Sequence, residues 1–202
     1  MSIVPKSAAS GARGALAPLA RALHGAGVSA NTVTFAGFVL TVAGAIVLAA
    51  DQPGAALLLL LVGTLADTLD GSVARIAGVG TKLGAFLDST FDRLSDSALT
   101  VAALVVGIAH ADALLLWSAI VALVSGSLVP YIRAKAESLG LSASVGLAPR
   151  EARLALQILG VAAWAATGSL LLFTAAMAVV AFLSTITAIQ RIAHVARALR
   201  NT

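Results

Sequence analysis

Six runs of apolar residues, separated by short polar stretches, follow one another along the chain. They cover residues 33–50, 55–75, 84–109, 113–133, 154–167 and 170–190. About 20 mostly apolar residues in a helix are enough to cross the hydrocarbon core of a bilayer. The pattern therefore predicts an all-α, polytopic membrane protein with six transmembrane helices.

The segment before the first run, residues 5–26, is too short and too interrupted by polar residues to cross a membrane. Within it Leu16, Leu19, Ala20 and Leu23 recur at helical spacing, and cationic residues occupy other faces. This spacing is typical of an amphipathic juxtamembrane helix that lies on the cytoplasmic leaflet.

No internal repeat or low-complexity tract divides the chain, so we expect residues 1–202 to form one membrane domain. The six-helix bundle should cover about residues 31–200.

A hydrophobic fraction of 59% and a charged fraction of 11% exclude a disordered chain and disfavour a soluble domain. Without cysteine, neither a disulfide nor a thiolate metal site is available. We expect no cleavable signal peptide, because no short apolar run with a cleavage site opens the chain.

The basic residues are unevenly distributed among the connections between the runs. The connections near residues 51–54, 110–112 and 166–169 contain no Lys or Arg, and all thirteen basic residues lie toward the opposite ends. The positive-inside rule then places both termini and the second and fourth connections in the cytoplasm of a cell-membrane protein. Nucleic-acid binding is disfavoured, because it would need stacking aromatics, which make up only 4% of the residues.

Four aspartates interrupt the apolar pattern around the second connection. Asp67 and Asp70 are three residues apart and Asp88 and Asp92 are four apart, so each pair lies on one face of its helix. Carboxylates at membrane depth are costly and mark functional sites. Two antiparallel neighbours can turn these faces toward each other, and oxygen ligands alone suit Mg²⁺ or Mn²⁺. The pattern indicates two divalent metals that bind a substrate diphosphate.

The alternative is that these carboxylates are structural and are neutralised by buried cations. That arrangement would need about as many counter-charges as aspartates, and only Arg75, Lys82 and Arg93 are close in sequence. Asp96 lies one turn beyond Asp92 on the same face, and we expect it to pair with Arg93.

The residues that follow Asp70 fit a bound diphosphate. Gly71 and Ala74 are small, which lets a bulky ligand approach the backbone, although helix packing explains Gly71 equally well. Arg75 is placed to donate charge-assisted hydrogen bonds to a diphosphate oxygen.

Together these residues form the pattern Asp67-x2-Asp70-Gly71-x2-Ala74-Arg75-x8-Gly84-x3-Asp88-x3-Asp92. Its eight fixed positions over 26 residues resemble, at every position, the signature of the CDP-alcohol phosphotransferase family. That family transfers a substituted phosphate from a CDP-alcohol to an acceptor hydroxyl and releases CMP. The six-run length agrees with the family's membrane domain, and the resemblance implies a homodimer.

The resemblance also implies roles for individual residues. Asp67, Asp70 and Asp88 would ligate metal, and Asp92 would both touch the second metal and act as the base that deprotonates the acceptor. The residues expected to bind the CDP-lipid are Asn31, Thr34, Gly71, Ala74, Arg75 and Thr81.

The acceptor is indicated by a narrower resemblance. Residues 87–96, 131–140 and 145–154 are similar to the corresponding segments of actinobacterial phosphatidylinositol-phosphate synthases. Relatives that use glycerol phosphate usually carry Pro after the third aspartate and Lys after the fourth, whereas Ser89 and Arg93 stand here.

An acceptor that carries its own phosphate needs a cationic pocket. Arg133, Arg153 and Arg191, at the cytoplasmic ends of the last three runs, are the candidates, with ordinary positive-inside flanking as their alternative. Lys135 and Arg150 are interpreted as flanking or headgroup-binding residues.

We therefore expect an enzyme that joins CDP-diacylglycerol from the bilayer and inositol 1-phosphate from the cytoplasm, giving phosphatidylinositol phosphate and CMP. Glycerol 3-phosphate is the alternative acceptor, and serine is a distant third because it brings no phosphate. An intramembrane prenyltransferase would also place aspartates around Mg²⁺, but without the Gly71, Ala74 and Arg75 continuation. A cation channel or transporter would spread its aspartates over several helices near the bilayer midplane.

Overall fold

The computed structural model describes the backbone of residues 6–78 and 81–200, with side chains from residue 16 onward. Residue 5 and the side chains of residues 6–15, part of the predicted juxtamembrane helix, lie outside the described part. Within these ranges the chain is all-helical, without strands. The seven helices are α1 (Lys6–Gly25), α2 (Ala30–Ala49), α3 (Pro53–Ile76), α4 (Lys82–Ala109), α5 (Ala113–Ser138), α6 (Arg150–Thr167) and α7 (Leu170–Arg200).

Local sequence determines where several helices begin and end. Ser29, Thr81 and Asp112 each accept a hydrogen bond from the backbone N–H three residues on, and so cap α2, α4 and α5. Pro53 is the first residue of α3. An N–H at this position would have no partner within the helix, so a proline costs no hydrogen bond there. Gly168 ends α6 with a φ of 69°, in the left-handed region that glycine adopts without strain.

The helices are those of a multi-pass membrane protein. Among the described residues, four helices are long and apolar enough to cross a bilayer: α2, α3, α5 and α7. The other two predicted spans are α4 and α6. Each carries charged residues inside the stretch that would cross the bilayer, including Asp92 and Asp96 on α4 and Arg153 on α6. The count of six spans therefore stays a prediction.

The bundle has an apolar core and an apolar exterior. Helix α2 packs on α3 and α4, α5 packs on α4 and α7, and α6 packs on α3 and α7. Leu48, Leu60, Leu99, Leu115 and Phe173, from five helices, are almost completely buried in one cluster. The following large apolar side chains face outward: Ile46, Leu58, Trp117, Leu159, Leu171 and Phe182. An exterior of this kind fits contact with lipid.

Helix α1 packs against the bundle as well as presenting an exposed side. Ala20 is fully buried in a cluster with Leu69 and Val73 of α3, and Leu16 and Leu23 are partly buried there. The predicted apolar stripe is therefore partly covered by protein, because α3 lies against it. A position on the membrane surface stays a prediction for this helix.

The α2–α3 contact depends on a close backbone approach at Gly63. A Cβ added there would lie 2.5 Å from Thr41 Oγ1 and 3.1 Å from the carbonyl oxygen of Gly37. We expect Gly63→Ala to lower the free energy of unfolding by about 1–3 kcal/mol, because the extra methyl group overpacks this contact.

The matched control is Gly54→Ala in the first turn of the same helix, where no described atom beyond its chain neighbours and the adjacent helix backbone lies within 4 Å of an added Cβ. Thermal unfolding in detergent would compare the two variants with the wild-type protein. Equal melting temperatures for the two variants would show that Gly63 is not needed for the contact.

Candidate active site

The ends of α3 and α4 bring three carboxylates together. Asp67 and Asp70 lie in the last three turns of α3, and Asp88 lies in the second turn of α4. One carboxylate oxygen from each of these residues falls within 4.8 Å of the others. We call Asp67, Asp70 and Asp88 the aspartate cluster. Both α3 and α4 pack on α2, which brings the end of α3 and the start of α4 close together.

The donor chemistry of the aspartate cluster fits a hard divalent cation. Asp70 is buried, and its Oδ2 accepts a hydrogen bond of 2.7 Å from Thr34 Oγ1, which fixes the carboxylate. Only carboxylate oxygens make up the group, so Mg²⁺ or Mn²⁺ suits it better than zinc or copper. Thr34, expected to bind the nucleotide, donates a hydrogen bond to a candidate metal ligand in the structure.

Asp92 is not a member of the aspartate cluster in this structure. Its Oδ1 lies 2.9 Å from Nη1 of Arg150, which also donates to Asp67 Oδ2 at 3.2 Å. Nε of the same arginine donates to Asp96 Oδ1 at 3.2 Å. Arg150 is the first residue of α6. Its interpretation as a flanking residue is wrong, since one guanidinium joins three carboxylates of the site.

Asp96 forms its ion pairs with arginines of α6 and not with an arginine of its own helix, α4. Besides Arg150, Nη2 of Arg153 lies 3.4 Å from Asp96 Oδ2. The expected pair with Arg93 is wrong, because Arg93 Nη1 donates to the backbone carbonyl of Ser89 at 2.7 Å and approaches Asp92 only to 3.9 Å. An exposed arginine on α4 cannot compete with two half-buried or buried arginines brought in by α6.

The residues expected to hold the nucleotide surround the aspartate cluster at the same end of the bundle. Gly71 is exposed, and apart from its chain neighbours and the adjacent backbone of α3 no described atom lies within 4 Å of a Cβ added to it, so a ligand can approach this backbone. Arg75 is exposed, and its Nη2 donates to Ser72 Oγ at 3.0 Å. Ala74, one turn beyond Asp70, is partly exposed.

The start of α4 faces the start of α2. Thr81 Oγ1 accepts a hydrogen bond of 2.9 Å from the N–H of Gly84, so this hydroxyl caps the helix. Asn31 Oδ1 would lie 3.1 Å from a Cβ at Gly84. Both side chains therefore lie beside the turn that joins α3 to α4, and the small residue at Gly84 allows their approach.

A cavity of about 310 Å³ opens next to Asp92. It lies between α4, α5, α6 and α7, and we call it the arginine cavity. Its charged lining residues include Asp92, Asp96, Arg133, Arg150, Arg153 and Arg191. The structure thus brings the three arginines proposed for the acceptor phosphate to one space, together with Arg150.

The three predicted arginines differ in how they are held. Arg153 is buried, and its Nη1 donates to the carbonyl of Ala148 at 3.2 Å. Arg191 is also buried, and it donates to the carbonyls of Val145 and Val129 at 2.9 Å each. Arg133 is exposed and pairs with Glu137 at 2.8 Å. The two buried guanidinium groups are therefore rigid, whereas Arg133 is on the rim.

The loop between α5 and α6 places Arg150, and α7 holds this loop. The N–H of Ala148 donates to Thr187 Oγ1 at 3.0 Å. Gly146, with a φ of 133°, lies directly against the Thr187 side chain, where any Cβ would clash. Sequence reasoning missed Arg150 and also Gln157 and Ser184, which line the arginine cavity. The available signal was the spacing of Arg150, Arg153 and Gln157 along one face of α6.

Comparisons with known proteins agree with this geometry. The family model described as CDP-alcohol phosphatidyltransferase matches residues 28–193. Phosphatidylinositol phosphate synthase of Mycobacterium marinum is 39% identical over 147 residues, which are 71% of this chain and 62% of that protein. Archaetidylinositol phosphate synthase of Methanothermobacter thermautotrophicus is 36% identical over 174 residues, 85% of each chain. The chain thus spans less than two thirds of the mycobacterial relative's length.

Solved structures of a further relative have the same fold. The crystal structure of Mycobacterium tuberculosis phosphatidylinositol phosphate synthase with CDP-DAG bound superposes with a TM-score of 0.82 at 32% identity. The match covers 89% of this chain and 92% of that chain. The structure of that synthase with manganese and citrate gives a TM-score of 0.81 at 33% identity, over 88% and 87% of the two chains. With a family match over residues 28–193, this chain belongs to the CDP-alcohol phosphatidyltransferase family.

Proposed function

We propose that this membrane enzyme transfers the phosphatidyl group of CDP-diacylglycerol to inositol 1-phosphate, giving phosphatidylinositol phosphate and CMP. The observation that carries the proposal is the arginine cavity, in which Asp92 and five arginines line a space beside the aspartate cluster. A carboxylate base next to a cationic pocket suits an acceptor that has both a reacting hydroxyl and a phosphate. The relatives reported above are named as synthases of phosphatidylinositol phosphate and archaetidylinositol phosphate, and this shared inositol phosphate product supports the acceptor.

Divalent metal would be held by Asp67, Asp70 and Asp88, with Asp92 as a further ligand. Bound there, two Mg²⁺ or Mn²⁺ ions would neutralise the carboxylates and stabilise charge on the diphosphate. The buried Asp70, fixed by Thr34, supplies the rigid part of this donor set. Manganese in the mycobacterial synthase supports the assignment of a divalent ion.

Asp92 would serve as the base. It lines the arginine cavity and also lies close to Asp67, since Arg150 Nη1 contacts both carboxylates. In the reaction Asp92 takes the proton of the acceptor hydroxyl, and the hydroxyl oxygen forms a bond to the β-phosphorus of the CDP-lipid. The bond from that phosphorus to the CMP oxygen breaks, and CMP leaves with the electron pair.

The acceptor phosphate would be bound by Arg153 and Arg191, with Arg133 at the rim. Buried guanidinium groups that already have some donors fixed by backbone carbonyls bind an anion with little loss of side-chain freedom. Arg150 would hold Asp92 and Asp96 in place between this pocket and the aspartate cluster.

The CDP-lipid would lie over the junction of α2, α3 and α4. The open backbone at Gly71 and the exposed Arg75 would accommodate and bind the diphosphate. Asn31, Thr34, Ala74 and Thr81 would complete the nucleotide site around the same turn. Of these, Thr81 and Thr34 already have partners in the fold, so their role toward the nucleotide is expected to be indirect.

The proposed topology has six spans in the cell membrane, with both termini and the active site on the cytoplasmic side. It is supported by the position of the aspartate cluster and the arginine cavity at the end of the bundle that carries the basic residues. The connections at the other end contain Asp51, His110 and Asp112, without Lys or Arg. A homodimer stays a prediction.

An acceptor panel tests the proposed function. The purified protein in detergent would receive CDP-diacylglycerol, Mg²⁺ and one acceptor at a time: inositol 1-phosphate, free inositol, glycerol 3-phosphate or serine. We expect the highest kcat/KM with inositol 1-phosphate, and turnover near background with inositol and serine, because these lack the phosphate that the arginines bind. Release of CMP and formation of the lipid product would be measured together.

The possible outcomes distinguish a wrong acceptor from a wrong reaction class. A higher kcat/KM for glycerol 3-phosphate would leave the chemistry in place and overturn the inositol assignment. CMP release that stays at background with every acceptor would contradict the reaction itself. Competition by an isoprenyl diphosphate but not by CDP would point to a prenyltransferase instead.

A further inference from the structure

Besides its charged residues, the arginine cavity is lined by the neutral polar side chains of Thr100, Gln157 and Ser184. We propose that Gln157 and Ser184 bind hydroxyl groups of the acceptor and thereby select a polyol ring. The inference rests on the proposed function and deepens it, since it names the side chains that distinguish one phosphorylated alcohol from another.

Three helices around the arginine cavity repeat one arrangement, in which a neutral polar residue follows a charged one toward the core. The pairs are Asp96 and Thr100 on α4, Arg153 and Gln157 on α6, and Arg191 and Ser184 on α7. Their spacings of four or seven residues keep both members of each pair on one helix face. On a rise of about 1.5 Å per residue, the neutral residues lie about 6–10 Å farther along the helices.

Ser184 has a hydroxyl group that the fold does not use. The residue is fully buried, and its Oγ has no hydrogen-bond partner among the residues the structure describes. Neighbouring hydroxyls behave differently, because Thr187 and Ser127 donate to the backbone carbonyl four residues earlier. A buried hydroxyl without a partner is costly, and it is retained where another group pairs with it. In this cavity that group is a ligand.

Gln157 is held so that one side of its amide remains available. Its Nε2 donates to Thr100 Oγ1 at 3.3 Å, and Thr100 in turn donates to the carbonyl of Asp96 at 2.8 Å. This chain of hydrogen bonds fixes the orientation of the amide. Within residues 16–78 and 81–200, no donor reaches Gln157 Oε1. The side chain is buried yet lines the cavity, so Oε1 is placed to accept from a ligand hydroxyl.

The chemistry of the acceptor decides which ligand fits. When the phosphate is bound by the arginines and one hydroxyl faces Asp92, inositol 1-phosphate has four hydroxyl groups left, and glycerol 3-phosphate has one. A site that hydrogen-bonds substrate hydroxyls discriminates against an analogue that lacks them. Gln157 Oε1 and Ser184 Oγ can each form a further hydrogen bond with a ligand hydroxyl. They therefore favour inositol 1-phosphate, which has more hydroxyl groups to offer.

The test compares wild-type protein with the variants Ser184→Ala and Gln157→Met. For each, KM and kcat would be measured with inositol 1-phosphate and with glycerol 3-phosphate at saturating CDP-diacylglycerol. We expect the KM for inositol 1-phosphate to rise about 3- to 10-fold in either variant, as for one lost neutral hydrogen bond. The KM for glycerol 3-phosphate should change little.

Ser127→Ala is the matched control, because Ser127 also lines the arginine cavity but its hydroxyl donates to the carbonyl of Leu123 at 2.7 Å. It should leave the ratio of the two acceptor KM values at the wild-type level. Ser184→Ala removes only an oxygen without a hydrogen-bond partner, so this variant is expected to fold. If Gln157→Met does not fold, the KM ratio of Ser184→Ala alone tests the inference.

Two results would overturn the inference. One is an unchanged ratio of KM values in Ser184→Ala and Gln157→Met, while wild-type protein prefers inositol 1-phosphate. The other is an equal rise for both acceptors, which would reveal a general packing effect. Wild-type turnover of glycerol 3-phosphate without turnover of inositol 1-phosphate would instead reject the proposed function, and this inference with it.

Discussion

Asp92→Asn is expected to lower kcat by about 10²- to 10⁴-fold, the usual contribution of a positioned general base, while CDP-diacylglycerol still binds. The amide has nearly the same volume as the carboxylate but cannot take the acceptor proton. Arg150 keeps its contacts with Asp67 and Asp96 in this variant, so the local arrangement should persist. Turnover would be followed by CMP release, and lipid binding by calorimetry in detergent.

Asp51→Asn provides the control for this substitution. Asp51 is an exposed carboxylate in the connection between α2 and α3, paired with His110 at 2.8 Å and remote from the arginine cavity. It should retain wild-type turnover. If Asp92→Asn loses CDP-diacylglycerol binding in proportion to kcat, Asp92 acts through substrate binding and the base assignment fails.

Asp70→Asn is expected to weaken divalent-metal binding by more than about 10²-fold and to abolish turnover. Loss of an outer partner of a ligand already costs about 10- to 100-fold in metal affinity, and Asp70 is proposed as a ligand itself. Titration with Mn²⁺, followed by electron paramagnetic resonance or calorimetry, measures the affinity without reference to activity. Chelation of the wild-type protein should stop turnover, and added Mg²⁺ or Mn²⁺ should restore it.

Thr34→Val gives the graded comparison. It removes the 2.7 Å hydrogen bond to Asp70 Oδ2 and leaves the carboxylate in place. We expect a metal affinity between those of the wild-type protein and Asp70→Asn. Wild-type Mn²⁺ affinity in Asp70→Asn, or turnover that survives thorough chelation, would be incompatible with a metal site at the aspartate cluster.

Much of the fold could be predicted because helix formation and membrane crossing depend on local sequence. The apolar run at 84–109 became α4 (Lys82–Ala109), and the run at 170–190 marks the apolar part of α7 (Leu170–Arg200). The run at 154–167 became α6, which begins four residues earlier, at Arg150, and is continuous to Thr167. No proline interrupts residues 150–167, so the helix propagates through the charged first turn.

The candidate site was predictable only in part. The spacing predicted that Asp67, Asp70, Asp88 and Asp92 face a common point, and the structure groups the first three, whereas Asp92 pairs with Arg150. The partner of Asp96 was mistaken, because sequence proximity favoured Arg93 over residues more than fifty positions away. Proximity along the chain says little about ion pairs once a loop such as residues 139–149 returns the chain to the same end.

The sequence by itself determined that this chain is a helical membrane protein with a motif that resembles the CDP-alcohol phosphotransferase signature, because apolar runs and the aspartate spacing are properties of short segments. The tertiary structure decided which cations meet which carboxylates. Arg150 reaches Asp67 across 83 residues and Asp96 across 54, and such contacts depend on how α6 and α7 pack. It also placed Gln157 and Ser184 in one cavity, since residues on separate helices share a ligand only through packing.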